Sequence, residues 1–90
     1  MPSLHLLVKG RVQGVSYRFS AKEEADRLSV TGWVRNTPEG HVEITATGND
    51  AALKAFTAWC RHGPALAHVD ELITETLKEM SFPGFSIRRG

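Results

Sequence analysis

Residues 10–18 read GRVQGVSYR, and their types and spacing suit one task, the holding of an anion. Gly10 and Gly14 bracket a short run of backbone N–H groups, and Arg18 follows close behind. A helix starting here presents unpaired N–H groups and the positive end of its dipole. A loop feeding that end can wrap its amides around a phosphate-like group, and a guanidinium adds a planar fork of donors to the same oxygens. Gly14 lets the chain turn and keeps a Cβ out of the anion's path. The Lys-Ser or Lys-Thr pair of the common nucleotide-phosphate loop is not in this stretch. The bare pattern also fits a plainer reading, in which the glycines serve a tight connection and Arg18 is solvated.

A second residue with chemical potential is Asn36, at the end of TGWVRN. Alternation places it on the face of Val34, and pairing Val34 with Ile44 and Asn36 with Val42 keeps all four on the core face. An amide there needs a partner. Either Asn36 caps its own turn, as asparagine often does, or its amide serves a site.

These residues must be positioned by the elements around them. SLHLLVKG puts Leu4, Leu6 and Val8 on one face and His5, Leu7 and Lys9 on the other, which predicts a well-buried strand before a loop at 11–16. YRFSAKEEADRLSV predicts a helix, with Tyr17, Ala21, Ala25 and Leu28 on one stripe and Phe19 packing at its edge. TGWVRN and HVEITATG predict two strands joined by the turn TPEG, with Val42, Ile44 and Ala46 buried and Glu43, Thr45 and Thr47 on a wetter face. NDAALKAFTAWCRHG predicts a second helix, capped by Asn49 or Asp50 and stopped by Gly63 and Pro64. Its stripe holds Ala52, Phe56, Trp59 and Cys60. In the tail, Val69, Leu72, Ile73, Thr76, Leu77 and Met80 recur with helical spacing, and FPGFSIRR follows as a turn and short closing strand. The order suggests an α+β sandwich with helices on one face of an antiparallel sheet. It becomes βαββαβ, a ferredoxin-like plan, if residues 68–75 are a strand.

Composition narrows the classes. Ninety residues make one small domain, and the formal net charge of +1 gives no electrostatic case for nucleic acid or a membrane surface. The single cysteine, Cys60, cannot close an internal disulfide and fits a reducing compartment. Neither a signal peptide nor an apolar run long enough to span a bilayer is evident. The expectation is a cytoplasmic monomer.

At the two stretches above, the sequence resembles the acylphosphatase family. GRVQGVSYR is similar to its phosphate-loop signature, Gly-x-Val-Gln-Gly-Val-x-aromatic-Arg. GWVRNTPEGHVEITATG is similar to its second signature, Gly-aromatic-x-x-Asn followed by Gly-x-Val and a later Gly. The resemblance extends to WCRHGPALAHV and to FSIR, and so covers nearly the whole chain. It implies a ferredoxin-like βαββαβ fold, a single domain over residues 1–90, a strand at 68–75 against the helical spacing, and hydrolysis of acyl phosphates to a carboxylate and orthophosphate. The family's catalytic arginine falls on Arg18 and its catalytic asparagine on Asn36. Its phosphate cradle falls on the backbone of Gln13, Gly14, Val15, Ser16, Tyr17 and Arg18. Ser16 occupies a variable position and is given no side-chain role. No cofactor or metal is implied; the partners implied are a small acyl phosphate and orthophosphate as product or inhibitor.

An acyl phosphate is already activated, so a protein has mainly to place a water and stabilise charge on the phosphoryl oxygens. No His, Asp or Glu lies within VQGVSYR, and none shares the face beside Asn36, so a substrate oxygen is expected to take the proton. His5, His41, His62 and His68 read as structural or solvated, with no metal-ligand spacing among them. Cys60 reads as inert core. Trp33 and Arg35 share the opposite sheet face, where a cation–aromatic contact is open to them, and Arg88 and Arg89 read as a solvated tail. The alternative is a non-catalytic anion-binding or interaction module of the same fold. RNA-binding sheets use several exposed aromatics, and this chain offers Trp33 and little else.

Overall fold

Alternating apolar residues commit the strands, and glycines set where they bend. The computed structural model describes residues 1–89. In chain order it contains β1 (Ser3–Arg11), α1 (Tyr17–Leu28), β2 (Thr31–Asn36), β3 (Val42–Thr47), α2 (Asp50–Cys60), β4 (His68–Leu77) and β5 (Phe85–Ile87). The strands form one sheet in the order β4-β1-β3-β2-β5. Each helix connects two strands that flank a third: β1-α1-β2 straddles β3, and β3-α2-β4 straddles β1. This is the ferredoxin-like arrangement. The first four strands pair antiparallel, and β5 adds a short edge parallel to β2, making the sheet mixed.

The register gives the core its rows. Leu6 lies opposite Ile44, and Ile44 opposite Val34; Val8 lies opposite Val42, and Val42 opposite Asn36. These apolar side chains meet Tyr17, Ala21 and Ala25 of α1 and Leu53, Phe56 and Cys60 of α2 in one buried cluster. Both helices therefore cover the same sheet face. Ser29, left-handed at φ 60°, closes α1 by donating its N–H to the carbonyls of Ala25 and Asp26. Asn49 caps α2, its Oδ1 accepting from the Ala52 N–H at 2.7 Å.

Several expectations change. The helical spacing of 69–80 is overruled and the strand implied at 68–75 is present, since residues 68–77 form a strand paired along nearly all of β1. A helix there would leave that edge of β1 unpaired, and the Val, Ile and Thr content of VDELITETL suits a strand. Thr45 and Thr47 are buried rather than wet. β3 is a central strand, and the Thr47 hydroxyl bonds Ser3 Oγ at 2.6 Å, which also accepts the Met80 N–H at 3.0 Å. Arg35 does not meet Trp33; it pairs with Glu43, and Arg88 from the tail lies 4.6 Å over the Trp33 ring instead. Phe19 does not pack at the edge of the α1 stripe and is 60 % exposed.

Candidate active site

The loop after β1 is set up by a bulge. Pairing of β1 with β4 slips between Lys9 and Gly10, and a Cβ on Gly10 would lie 2.2 Å from the His68 carbonyl oxygen. Only glycine fits at that approach. Beyond it, Gly14 is left-handed at φ 74° and Ser16 at φ 65°, with Val15 between them at negative φ. Alternation of hand in successive residues turns their N–H groups to one side, the geometry of an anion nest. Ser16 is the N-cap of α1, yet its side chain caps nothing. A left-handed serine costs on the order of 1 kcal/mol, which the loop sustains. No N–H from Gln13 to Phe19 donates to a described acceptor outside the helix's own bonds. The first turn of α1 carries no acidic residue to compete with an anion.

Arg18 stands in that first turn and makes no ion pair among the described residues. With Val12, Gly14, Ser16, Tyr17, Phe19 and Ile87 it lines a cavity of about 190 Å³. The volume suits a small anion with part of its substituent. Tyr17 belongs to the support. Its hydroxyl donates to the Cys60 carbonyl at 2.7 Å, pinning the start of α1 to the end of α2. Burial first, then the neighbouring Cys60, pushes the Tyr17 phenol far above its ordinary range, so it stays neutral. Burial likewise pushes the Cys60 thiol up to about 12, which leaves it without nucleophilic character at neutral pH.

Asn36 lies on the helix-covered face, as its alternation requires, opposite Val42. Its Oδ1 is buried and has no hydrogen-bond partner among the described residues. It does not cap the turn. Thr37 does so, its Oγ1 accepting from the His41 N–H at 3.1 Å. A buried amide oxygen without a partner is costly unless a water or ligand completes it. Asn36 is not itself a wall of the 190 Å³ cavity. What joins it to the loop is Gln13. The Gln13 amide donates to the Thr37 carbonyl at 2.9 Å and to the His41 carbonyl at 2.8 Å, lashing the loop to the turn that begins beside Asn36.

That bridge is not visible in the sequence. Residue type offers Gln13 to the cradle through its backbone alone, and the acceptors of its side chain lie 24 and 28 residues away. The exposure of Phe19 and the arrival of Ile87 at the cavity are likewise products of the fold. Phe19 does carry a signal: its distance of two residues from Tyr17 turns it away from the α1 core stripe. The histidines stay outside the site. His5 donates from Nε2 to Glu43 at 2.6 Å on the face opposite the helices, and His68 pairs with Asp70. His41 contributes backbone groups alone, its carbonyl to Gln13 and its N–H to Thr37 Oγ1.

Both the sequence and the fold match known proteins. The family model described as Acylphosphatase matches residues 4–87. The chain is 49% identical over 89 residues to an acylphosphatase of Thiobacillus denitrificans, covering 98% of each chain. It is 50% identical over 84 residues to one of Methylococcus capsulatus, covering 93% of this chain and 88% of that one. Among solved structures, the acylphosphatase from Bacillus subtilis superposes with a TM-score of 0.95 at 34% identity, covering 98% of this chain and 99% of that one. An acylphosphatase from Coxiella burnetii gives 0.93 at 34% identity, covering 97% and 92%.

Proposed function

The chain belongs to the acylphosphatase family and is an enzyme that hydrolyses acyl phosphates, and from that premise we propose that the loop of residues 13–18 with Arg18 holds the phosphoryl group while Asn36 orients the attacking water. The backbone amides of Gln13, Gly14, Val15, Ser16, Tyr17 and Arg18 and the helix dipole draw the phosphoryl oxygens into the nest, and the Arg18 guanidinium grips them from the side. The water, held by the Asn36 Oδ1, attacks phosphorus. The bond from phosphorus to the acyl oxygen breaks, and the carboxylate leaves with the electron pair. The water's proton passes to a non-bridging phosphoryl oxygen, so no protein base is required. The donors are fixed in place before the charge develops, which is where they lower the barrier most. The observation that carries the reading is the Gln13 bridge, which ties the loop to the turn beside Asn36, whose buried Oδ1 has no partner among the described residues.

The same reading makes the enzyme a single-domain cytoplasmic monomer with a small-molecule substrate and orthophosphate as product or inhibitor. A net charge of +1 and the unpaired, buried Cys60 support it. On the open sheet face, Trp33 lies under Arg88 rather than within an array of free aromatics, which gives RNA little to stack on.

The test is turnover of a simple aryl acyl phosphate beside a titration of orthophosphate, in Arg18→Ala and Asn36→Ala. Arg18→Ala should lose both, turnover by about 10²–10³-fold, the scale of one oxyanion-directed donor. Asn36→Ala should lose turnover by about 10²-fold and keep orthophosphate affinity. If affinity falls as steeply as turnover in Asn36→Ala, the asparagine belongs to the phosphate cradle and the proposed role is wrong.

A further inference from the structure

The phosphate cavity has an apolar side that hydrolysis of the phosphoryl group alone does not call for. Among the described residues, Phe19 is 60% exposed and Ile87 40%, and both line this cavity. They come from different elements, the first turn of α1 and the last residue of β5. The core stripe of α1 runs through Tyr17, Ala21 and Ala25, so Phe19 points away from the interior and serves no packing there. Exposed apolar side chains gathered at one ligand-sized cavity, rather than scattered singly, mark a surface suited to an apolar group.

The occupant follows from the substrate's own shape. An acyl phosphate held by its phosphoryl oxygens against Gly14, Ser16 and Arg18 must send its acyl group outward across the rim. Of the apolar residues lining the cavity, Phe19 and Ile87 are the exposed ones. Arg18 is committed to the phosphoryl group, and neither of these two side chains carries a charge that could bind a charged acyl group.

We infer that Phe19 and Ile87 form the acyl-binding wall of the enzyme and favour acyl phosphates with a bulky apolar acyl group over acetyl phosphate. This rests on the phosphate lying in the 13–18 loop. Specificity is a difference in transition-state binding, and the presence or absence of a small apolar group against a fitting wall changes kcat/KM by about tenfold or more.

The experiment compares kcat/KM for benzoyl phosphate and acetyl phosphate in the wild type, Phe19→Ala, Phe19→Leu and Ile87→Thr. The quantity read is the benzoyl-to-acetyl ratio, which removes any general loss of activity. Phe19→Ala should lower the ratio about tenfold, chiefly through KM, and Ile87→Thr should lower it by several-fold. Phe19→Leu should retain most of it. Both positions are exposed, and threonine keeps the branching that suits a strand, so the variants should fold. An unchanged ratio in Phe19→Ala and Ile87→Thr, or an equal loss on both substrates, overturns the inference. Arg18→Ala assayed alongside separates the two levels. If it keeps full turnover, the placing of the phosphate is wrong; if it is inactive while the Phe19→Ala ratio is unchanged, only the acyl wall is.

Discussion

Gln13→Ala is the perturbation that most directly tests how the site is assembled. The side chain makes two hydrogen bonds, at 2.9 Å to the Thr37 carbonyl and 2.8 Å to the His41 carbonyl. Neither carbonyl would be orphaned by the change. Thr37 O still accepts from the Gly40 N–H at 3.1 Å, and His41 O from the Thr37 N–H at 2.9 Å. The loss is then the net value of two bonds without an added desolvation penalty, about 1–2 kcal/mol. In a domain of this size that lowers Tm by about 5–15 °C. The larger effect should fall on catalysis. With the bridge gone, the loop bearing Arg18 and the turn beside Asn36 lose their common reference, and a misplacement near 1 Å costs on the order of 10²-fold in rate. Thermal unfolding by circular dichroism and steady-state hydrolysis of an acyl phosphate, on the same preparation, give both numbers. Gln13→Glu should be worse than alanine at neutral pH, because its carboxylate offers no donor and faces two carbonyl oxygens. A lowered Tm with near-normal turnover would show that the bridge stabilises the fold without aligning the site. An unchanged Tm would refute the bridge itself.

Two further outcomes follow from the geometry. Orthophosphate at ~100-fold excess over its Kd should add about 2.7 kcal/mol of stability relative to matched chloride, a rise of about 10 °C or more in Tm; Gly14→Ala should remove much of this, since Gly14 sits at φ 74°, and equal shifts in the two proteins would mean the loop holds no anion. Stability should also fall in acid through Glu43. Burial pushes its carboxyl up, but the hydrogen bonds and charges of His5 and Arg35 outweigh that and hold it below its ordinary value of 4.5. A lowered folded-state pKa means stability present above the unfolded value and lost as pH falls through the folded one. Glu43→Gln should flatten the pH–stability curve below about pH 4.5, measured by urea unfolding; an unchanged acid limb would refute the coupling.

What the sequence determines by itself is what local patterning can carry. The alternation of Leu4, Leu6 and Val8, and of Val42, Ile44 and Ala46, places two strands and their buried face. The spacing of Tyr17, Ala21 and Ala25 places α1 and its stripe. Parity alone puts Asn36 on the face of Val34 and opposite Val42, as the register shows. The glycines and Arg18 mark the loop, because backbone freedom and charge are properties of single residues. Tertiary structure decides whatever depends on partners distant in the chain. Residues 68–77 carry a helical spacing of apolar groups, but β1 offers an unpaired edge whose hydrogen bonds only a strand can complete. Thr45 is dry because β3 lies between two other strands, which no alternation pattern reports. Arg35 takes Glu43 and leaves Trp33 to Arg88, a choice made by register and by the path of the tail. Gln13 looks like one more loop residue until the fold brings the Thr37 and His41 carbonyls to its amide. Residue type fixes what a side chain can do, and its neighbours in space fix which of those things it does.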